Sequence, residues 1–291
     1  MKKFLVMLMF FCSTAFAAET IKIMSPYNAS HSGTTAMLKV IEEANKAQHI
    51  YTFVLEFRPG GNQLIALKAM DSNSLGIIAA AFVDNINSGK VVESDYVPIH
   101  AIGNACWVVV TNGAVNANKE MVVGTVGFGN ATHLTALSIA DKYKLDVKYI
   151  GFKSNNDAFM NMAGNHGVTL GIDRYELYES LKDKNPNLQL FAASCPVRIP
   201  SAPKLKTLKE VGIEAPYVFN ITVAPKSMDE TRRKAIALIL NDAQNKIGSE
   251  EILKMSGMKI PSDSAEVFYT KSVATVRKFQ QKYQSKIQEA K

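Results

Sequence analysis

The chain has 291 residues, with 33 Lys and Arg against 26 Asp and Glu, a formal net charge of +7 and a 47% hydrophobic content. That apolar share is enough for sizeable cores, and the length suggests two lobes or domains. Charge is mixed along the chain, with no basic helix or Arg-rich run. The positive excess therefore suits a small anionic ligand and gives no nucleic-acid footprint.

The chain opens with Lys2 and Lys3, the unbroken apolar stretch Phe4–Phe11, and Ala15-Phe16-Ala17. This is the pattern of a cleavable secretory signal peptide over residues 1–17, with Ala18 as the new N-terminus. The apolar part is too short for a membrane span. Cys12 lies inside it, and the residues before it do not form a lipobox. No later stretch is apolar for long enough to cross a membrane, so the expected address is the periplasm. Cys106 and Cys195 remain after cleavage. An oxidising compartment permits a bridge between them, but their separation gives no geometric support for one and free buried Cys is common, so two unbridged thiols are the expectation. With no C-x-x-C and no His-x-x-His pair, neither a metal nor a cofactor is indicated.

In chain order, Ile21–Met24 reads as a strand and Thr34–Ala47 as a helix with Met37, Leu38, Ile41 and Ala44 on its apolar stripe. The strand Tyr51–Phe57, a turn at Arg58–Asn62, the helix Gln63–Met70 and the buried strand Leu75–Ala80 follow. Val97–Ile102 and Cys106–Thr111 are two more strands. A second βα series runs through Val122–Val126, Thr132–Lys144, Asp146–Ile150, Asn156–Ala163, Val168–Ile172, Tyr175–Lys182 and Gln189–Ala193. The alternation means an α/β fold with mainly parallel sheets. Val218–Val223 is a last strand. The helices Asp229–Gly248, Glu250–Ser256 and Ala265–Lys286 form a tail too poor in strands to be a domain, and it is expected to pack on the first lobe. The expected division is residues 18–115 with 225–291 as lobe 1 and 116–224 as lobe 2. The hinge crossings then lie near Thr111–Met121 and Pro216–Pro225.

Two segments carry the functional signal. In each, a strand runs into a small polar loop that opens a helix: Ile21–Lys46 and Met121–Lys144. A helix N-terminus carries unpaired N–H groups and partial positive charge, and the carboxyl ends of parallel strands are the usual ligand crevice. Ser30, Ser32, Gly33, Thr34 and Thr35 on one loop, and Gly129, Asn130, Ala131 and Thr132 on the other, are thus candidate ligand contacts. Ser, Thr and Asn there are also plain N-caps. His31 and His133 either line the cleft, where their charge near neutral pH would tune a carboxylate, or pack within a lobe. Asp173-Arg174 follows a strand, and its Arg is either a carboxylate partner or half of a surface ion pair. Gly60-Gly61 reads as a tight turn, with Gly61 close to the cleft and Asn62 capping the next helix. Tyr27 is either an aromatic wall or hinge-side core, and Phe128 sits within the second loop. Catalytic roles are missing: there is no G-x-S-x-G, no Walker A, and Gly127-Phe128-Gly129 lacks the third glycine and acidic partner of a dinucleotide site.

These segments, in order, resemble the solute-binding proteins of tripartite tricarboxylate transporters, the Bug family. The resemblance rests on Ser25-Pro26-Tyr27 with Ser32-Gly33-Thr34, on Arg58-Pro59-Gly60-Gly61-Asn62, and on the run Gly127 to Leu134. Tyr149-Ile150-Gly151-Phe152-Lys153, Arg198-Ile199-Pro200 with Pro203, Thr207 to Gly212 and Ala224-Pro225 complete it. It covers nearly the whole mature chain. It implies a type II periplasmic-binding-protein fold whose two α/β lobes close over a small carboxylate, with membrane permease subunits as partner and a monomeric protein. A ligand-presenting sensor for a receptor kinase is the alternative, and a periplasmic hydrolase the more distant one. Ser30 and His31 stand where the family has glycines, Thr35 where it has Asp, and Ser154 where it has Gly.

Overall fold

The computed structural model describes residues 18–29, 31–60, 63–114, 120–152 and 154–290. The expected signal segment, and Ser30, Gly61, Asn62 and Lys153, lie outside them. Among the described residues no helix is long and apolar enough to cross a membrane.

The chain builds one sheet, leaves it, builds a second, and returns. β1 (Glu19–Ser25), α1 (Ser32–Ala47), β2 (Tyr51–Phe57), α2 (Leu64–Lys68), β3 (Ser74–Ile78), α3 (Ala80–Asn87) and β4 (Tyr96–Ala105) come first. β5 (Trp107–Asn112), β6 (Glu120–Thr125), α4 (Ala131–Tyr143), β7 (Asp146–Gly151), α5 (Asn155–Ala163), β8 (Leu170–Asp173), α6 (Tyr175–Leu181) and β9 (Leu188–Ser194) follow. β10 (Phe219–Pro225), α7 (Glu230–Ile247), α8 (Ser249–Ser256), β11 (Met258–Lys259), α9 (Ala265–Lys282) and α10 (Gln284–Glu289) close the chain.

The first sheet has the order β11-β4-β10-β3-β1-β2 and the second β7-β6-β8-β5-β9. In each, βα units give a block of parallel strands: β2, β1 and β3 in the first, and β7, β6 and β8 in the second. The strands that carry the chain between sheets, β10 and β5, run antiparallel to these blocks. The architecture is thus two α/β lobes, each with parallel strands whose carboxyl ends carry the helix-opening loops.

Local sequence explains most of this. α1 buries Gly33, Ala36, Met37, Val40, Ile41 and Ala44, a spacing of three and four that keeps one stripe inward. Leu38, expected on that stripe, is 40% exposed, and Val40 fills the place. β3 is buried at every position, as befits a central strand covered on both faces. α5 lies close over the second sheet because Gly124 has no side chain: a Cβ there would come 2.4 Å from that of Ala158. Two expectations fail. Ala80 begins α3 instead of ending a strand, because the apolar run from Ile77 to Val83 continues through both elements and Ala79 offers no capping side chain. The last expected helix is two, broken at Tyr283, where the backbone leaves helical geometry.

The C-terminal tail packs back on the first sheet, α7 and α8 against α1 and α9 against β4. The passage out of that sheet falls at Cys106. β5 already belongs to the second sheet, so this exchange comes earlier in the chain than the expected Thr111–Met121. The return lies between Ser194 and Phe219. The passages run side by side: the Ala105 N–H donates to the Val218 carbonyl at 2.7 Å, and the Cys106 N–H to that of Gly257 at 2.7 Å. Cys106 and Cys195 form a disulfide here, across 89 residues of sequence.

A cross-link that closes a loop of this length restricts the unfolded chain, so reducing it is expected to cost about 2–4 kcal/mol. Paired urea melts of the oxidised protein and of Cys106→Ser/Cys195→Ser measure this. The expected result is a lower midpoint in the double variant and in reduced wild type, with no further effect of reductant on the variant.

Candidate functional site

The two sheets end their parallel strands with the same local device. At the end of β1 the Ser25 hydroxyl donates to the Tyr27 carbonyl at 3.1 Å and accepts the Tyr27 N–H at 3.3 Å. At the end of β6 the Thr125 hydroxyl donates to the Gly127 carbonyl at 2.8 Å and accepts its N–H at 3.3 Å. A hydroxyl bonded to backbone two residues on turns the chain out of the sheet. Helix caps follow. His31 Nδ1 accepts the Gly33 N–H to cap α1, and Asn130 Oδ1 accepts the His133 N–H at 2.8 Å to cap α4. Ser154 Oγ caps α5 by accepting the Asp157 N–H at 3.1 Å.

These loops face one another across a cavity of about 440 Å³, inside the range of about 300–1,000 Å³ usual for ligand pockets. The first lobe lines it from the ends of β1, β2 and β3: Pro26, Tyr27, Asn28, His31 and Ser32; Pro59, Gly60 and Gln63; and Ala79 to Ala81. The second lobe contributes Val126, Asn130, Ala131 and Thr132 from the end of β6, Ser154, Asn155 and Asn156 from the end of β7, and Asp173 and Arg174 from the end of β8. Trp107 and Val218 close the base, one from each passage between the sheets.

Eight of the sequence-derived candidates thus come together: Tyr27, His31, Ser32, Asn130, Ala131, Thr132, Asp173 and Arg174. Six others do not line the cavity. Thr34 is fully buried, its hydroxyl 3.0 Å from that of Ser25. Gly33 packs where a Cβ would strike Asn220. The Thr35 hydroxyl donates to the Ala29 carbonyl and serves the loop. Phe128 packs edge-on against His133 and Tyr149. The Gly129 N–H donates to His133 Nδ1 at 2.9 Å, and its carbonyl accepts from Gln280 Nε2 at 2.9 Å. His133 is fully buried and holds the loop from behind. Ser30 and Gly61 lie outside the described residues.

The structure adds residues that sequence did not mark. Gln63 sits in the left-handed region, φ 74°, at the start of α2. From there its Nε2 donates to the Tyr27 hydroxyl, and its Oε1 accepts the Ala79 N–H at 3.2 Å. One amide thereby ties together the loops after β1, β2 and β3, at a backbone cost of order 1–3 kcal/mol. Trp107 sends its indole N–H to the Ser32 hydroxyl at 3.1 Å, joining the second sheet to the first turn of α1. Ser154 carried a legible signal, a Ser immediately before a helix. Gln63 and Trp107 carried none, since both act through tertiary contacts.

The electrostatics are spare. Arg174 is the sole cation among the described lining residues, and it lies across the cavity from the His31 loop. Its Nε is 3.8 Å from Asp173 Oδ1, and its own N–H donates to that oxygen at 2.7 Å. Burial pushes the Asp173 carboxyl up, against the pull of the Arg174 N–H and guanidinium. Burial, and then the charge of Arg174, hold His31 down to about 3. Burial alone holds His133 down to about 4. Both rings are therefore neutral near pH 7, contrary to a charge-tuning role. Each uses Nδ1 as an acceptor, which requires the unprotonated nitrogen. On α4, the Asn130 cap occupies the His133 N–H, and no acceptor among the described residues takes the N–H groups of Ala131 and Thr132. Arg174 and the positive end of α4 line the same cavity.

The buried histidines set a pH dependence. His100 is also held down to about 4 by burial. Their folded values lie below the ordinary 6.5, so acid protonates the unfolded chain first. Stability is expected to be level above pH 6.5 and to fall as pH drops from there towards 4, by on the order of 1 kcal/mol per pH unit for each of His100 and His133. His31, half-buried, contributes less. Urea unfolding across pH 4–8 measures the slope, and His133→Asn is expected to flatten it.

No protein-family model matches the chain, and no curated protein sequence matches it. Solved structures do. The periplasmic binding protein BugD is 17% identical, with a TM-score of 0.70, over 92% of this chain and 97% of its own. A Rhodopseudomonas palustris protein solved with adipate is 13% identical, TM-score 0.75, over 92% and 97%. MatC from the same organism, solved with bound malate, is 13% identical, TM-score 0.73, over 91% and 99%. Such likeness speaks to architecture: this chain has the two-lobed fold of these binding proteins along nearly its whole length.

Proposed function

We propose that this chain is a solute-binding protein that captures a small carboxylate between its lobes and presents it to the permease subunits of a tripartite tricarboxylate-type transporter. The observation that carries the reading is the cavity at the facing carboxyl ends of two parallel blocks, with Arg174 as its cation. Sheet membership suggests the lobes: β1 to β4 with β10 onward, and β5 to β9. The signal-like N-terminus and the disulfide fit work in the periplasm. The ligand's carboxylate meets Arg174 and the first turn of α4, and contacts from the first lobe favour the closed form only to the extent that closure adds them. The BugD, adipate and malate structures share this architecture and bear on the reading by analogy of fold.

The test is calorimetry with the ligand identified by mass spectrometry of freshly purified protein. Arg174→Gln is expected to weaken binding by about 1.5–3 kcal/mol, the worth of a hydrogen bond to a charged group. Thr34→Ala is expected to leave affinity unchanged and to lower stability by about 1 kcal/mol, because its hydroxyl bonds inward. Small-angle scattering should show a more compact particle with ligand. Unchanged affinity in Arg174→Gln would remove the cavity from the function.

A further inference from the structure

The two walls of the cavity differ in kind. The second lobe presents amides, hydroxyls and the Asp173–Arg174 pair. The first presents the Tyr27 and His31 rings and small apolar groups beside Asn28, Ser32 and Gln63, with Trp107 at the base between them. Tyr27 and His31 are stacked, with ring centroids 3.8 Å apart and planes within 9°. Trp107 stands edge-on to His31 at 6.0 Å. These rings are held in place before any ligand arrives. Gln63 bonds the Tyr27 hydroxyl, Gly33 bonds His31 Nδ1, and Ser32 bonds the Trp107 indole. His31 is neutral, so its ring packs as a flat, weakly polar surface. The charge balance is equally restrictive. Arg174 is offset by Asp173, and among the described residues no second cation lines the cavity to meet a second carboxylate. A buried carboxylate without a partner is costly.

Resting on the binding-protein reading above, we propose that the cavity takes an aromatic monocarboxylate. Its carboxylate lies against Arg174 and the first turn of α4, and its ring packs against the Tyr27–His31–Trp107 wall. A fourth ring continues the stacked and edge-on packing already present, which adds to area burial and favours a planar body over a flexible chain. A preorganised wall also spares the ordering cost of the protein side.

Trp107 is the chain's single tryptophan, so its fluorescence reports directly on this wall. The experiment titrates the full mature protein, after removal of any co-purified ligand, with benzoate, hexanoate, adipate and citrate. Trp107 emission and calorimetry are read in parallel. Benzoate is expected to shift or quench Trp107 emission and to bind about tenfold more tightly than hexanoate or adipate, the ratio that one extra ring contact is worth. His31→Asn keeps a side-chain acceptor for the Gly33 N–H while removing the ring. It is expected to erase most of that preference, so that benzoate and hexanoate bind the variant with similar affinity. Adipate or citrate binding as tightly as benzoate, or a preference that survives His31→Asn, overturns the inference and leaves carboxylate capture standing. Failure of every carboxylate to bind overturns both. The wild-type affinity ratio decides the matter even if the variant does not fold.

Discussion

Everything at the site depends on one junction. At Cys106-Trp107 the chain steps from the first sheet to the second, and four constraints meet there. The disulfide joins the start of β5 to the chain just after β9. The N–H groups of Ala105 and Cys106 bond to the return passage and to the turn before β11. The Trp107 indole reaches Ser32 in the first turn of α1. All of these groups are buried, where a hydrogen bond is strong and an unmade one is costly. This junction aims the carboxyl ends of two parallel blocks at each other, and so turns two ordinary helix openings into one enclosed space.

Within that frame each loop satisfies itself first and leaves something over. Ser25 and Thr125 make the same turn, and His31, Asn130 and Ser154 cap the helices that follow. A cap uses one or two of the orphan N–H groups of a first turn. On α4, whose Ala131 and Thr132 line the cavity, the remaining N–H groups lie at the positive end of the helix dipole. The two histidines show what this demands. His31 and His133 accept N–H bonds from Gly33 and Gly129, and a proton on Nδ1 would set donor against donor. Burial, with Arg174 acting on His31, keeps that proton away. The histidines are parts of the cavity's scaffold, and Arg174 is the one cation among the described lining residues.

The strand–loop–helix alternation was legible because βα units announce themselves by period, by small polar loops and by caps. So were Tyr27, His31, Ser32, Asn130, Thr132 and Arg174, which sit at strand ends or in the first turns that follow them. What sequence could not supply is what side chains do across the fold. Trp107 reads as one more apolar residue of a strand, yet it forms the cavity base. Gln63 reads as helix, yet it works from a left-handed backbone position with both ends of its amide engaged. Thr34 and Gly33 look like their neighbours in sequence, but one helical step of about 100° turns them into the core. α3 was missed because an apolar run that changes from strand to helix without a capping residue gives no sign of the change.

Opposite the junction the lobes touch a second time. α4 is buried at every position from Ala131 to Ala140, and α9 lies over it. Gln280 accepts from Asn87 Nδ2 at 2.8 Å and donates to the Gly129 carbonyl, so the loop after β6 is bonded to the helices that pack on the first sheet. Lys282 pairs with Asp141 at 2.7 Å, and the Tyr283 hydroxyl reaches the same carboxylate at 3.4 Å. Moving the lobes apart with α9 held on the first sheet breaks these contacts and returns their groups to water. Because water replaces most of each bond, the net cost is about 0.5–1.5 kcal/mol apiece for buried ones, and less for the exposed Lys282 pair. These polar contacts alone therefore set only a modest cost on moving the lobes apart. On the proposed function, a ligand that adds a charge-assisted bond at Arg174 and a packed face on the first lobe supplies a difference of that size. Ligand and the α4–α9 seam would then hold the lobes together, and neither needs to be strong.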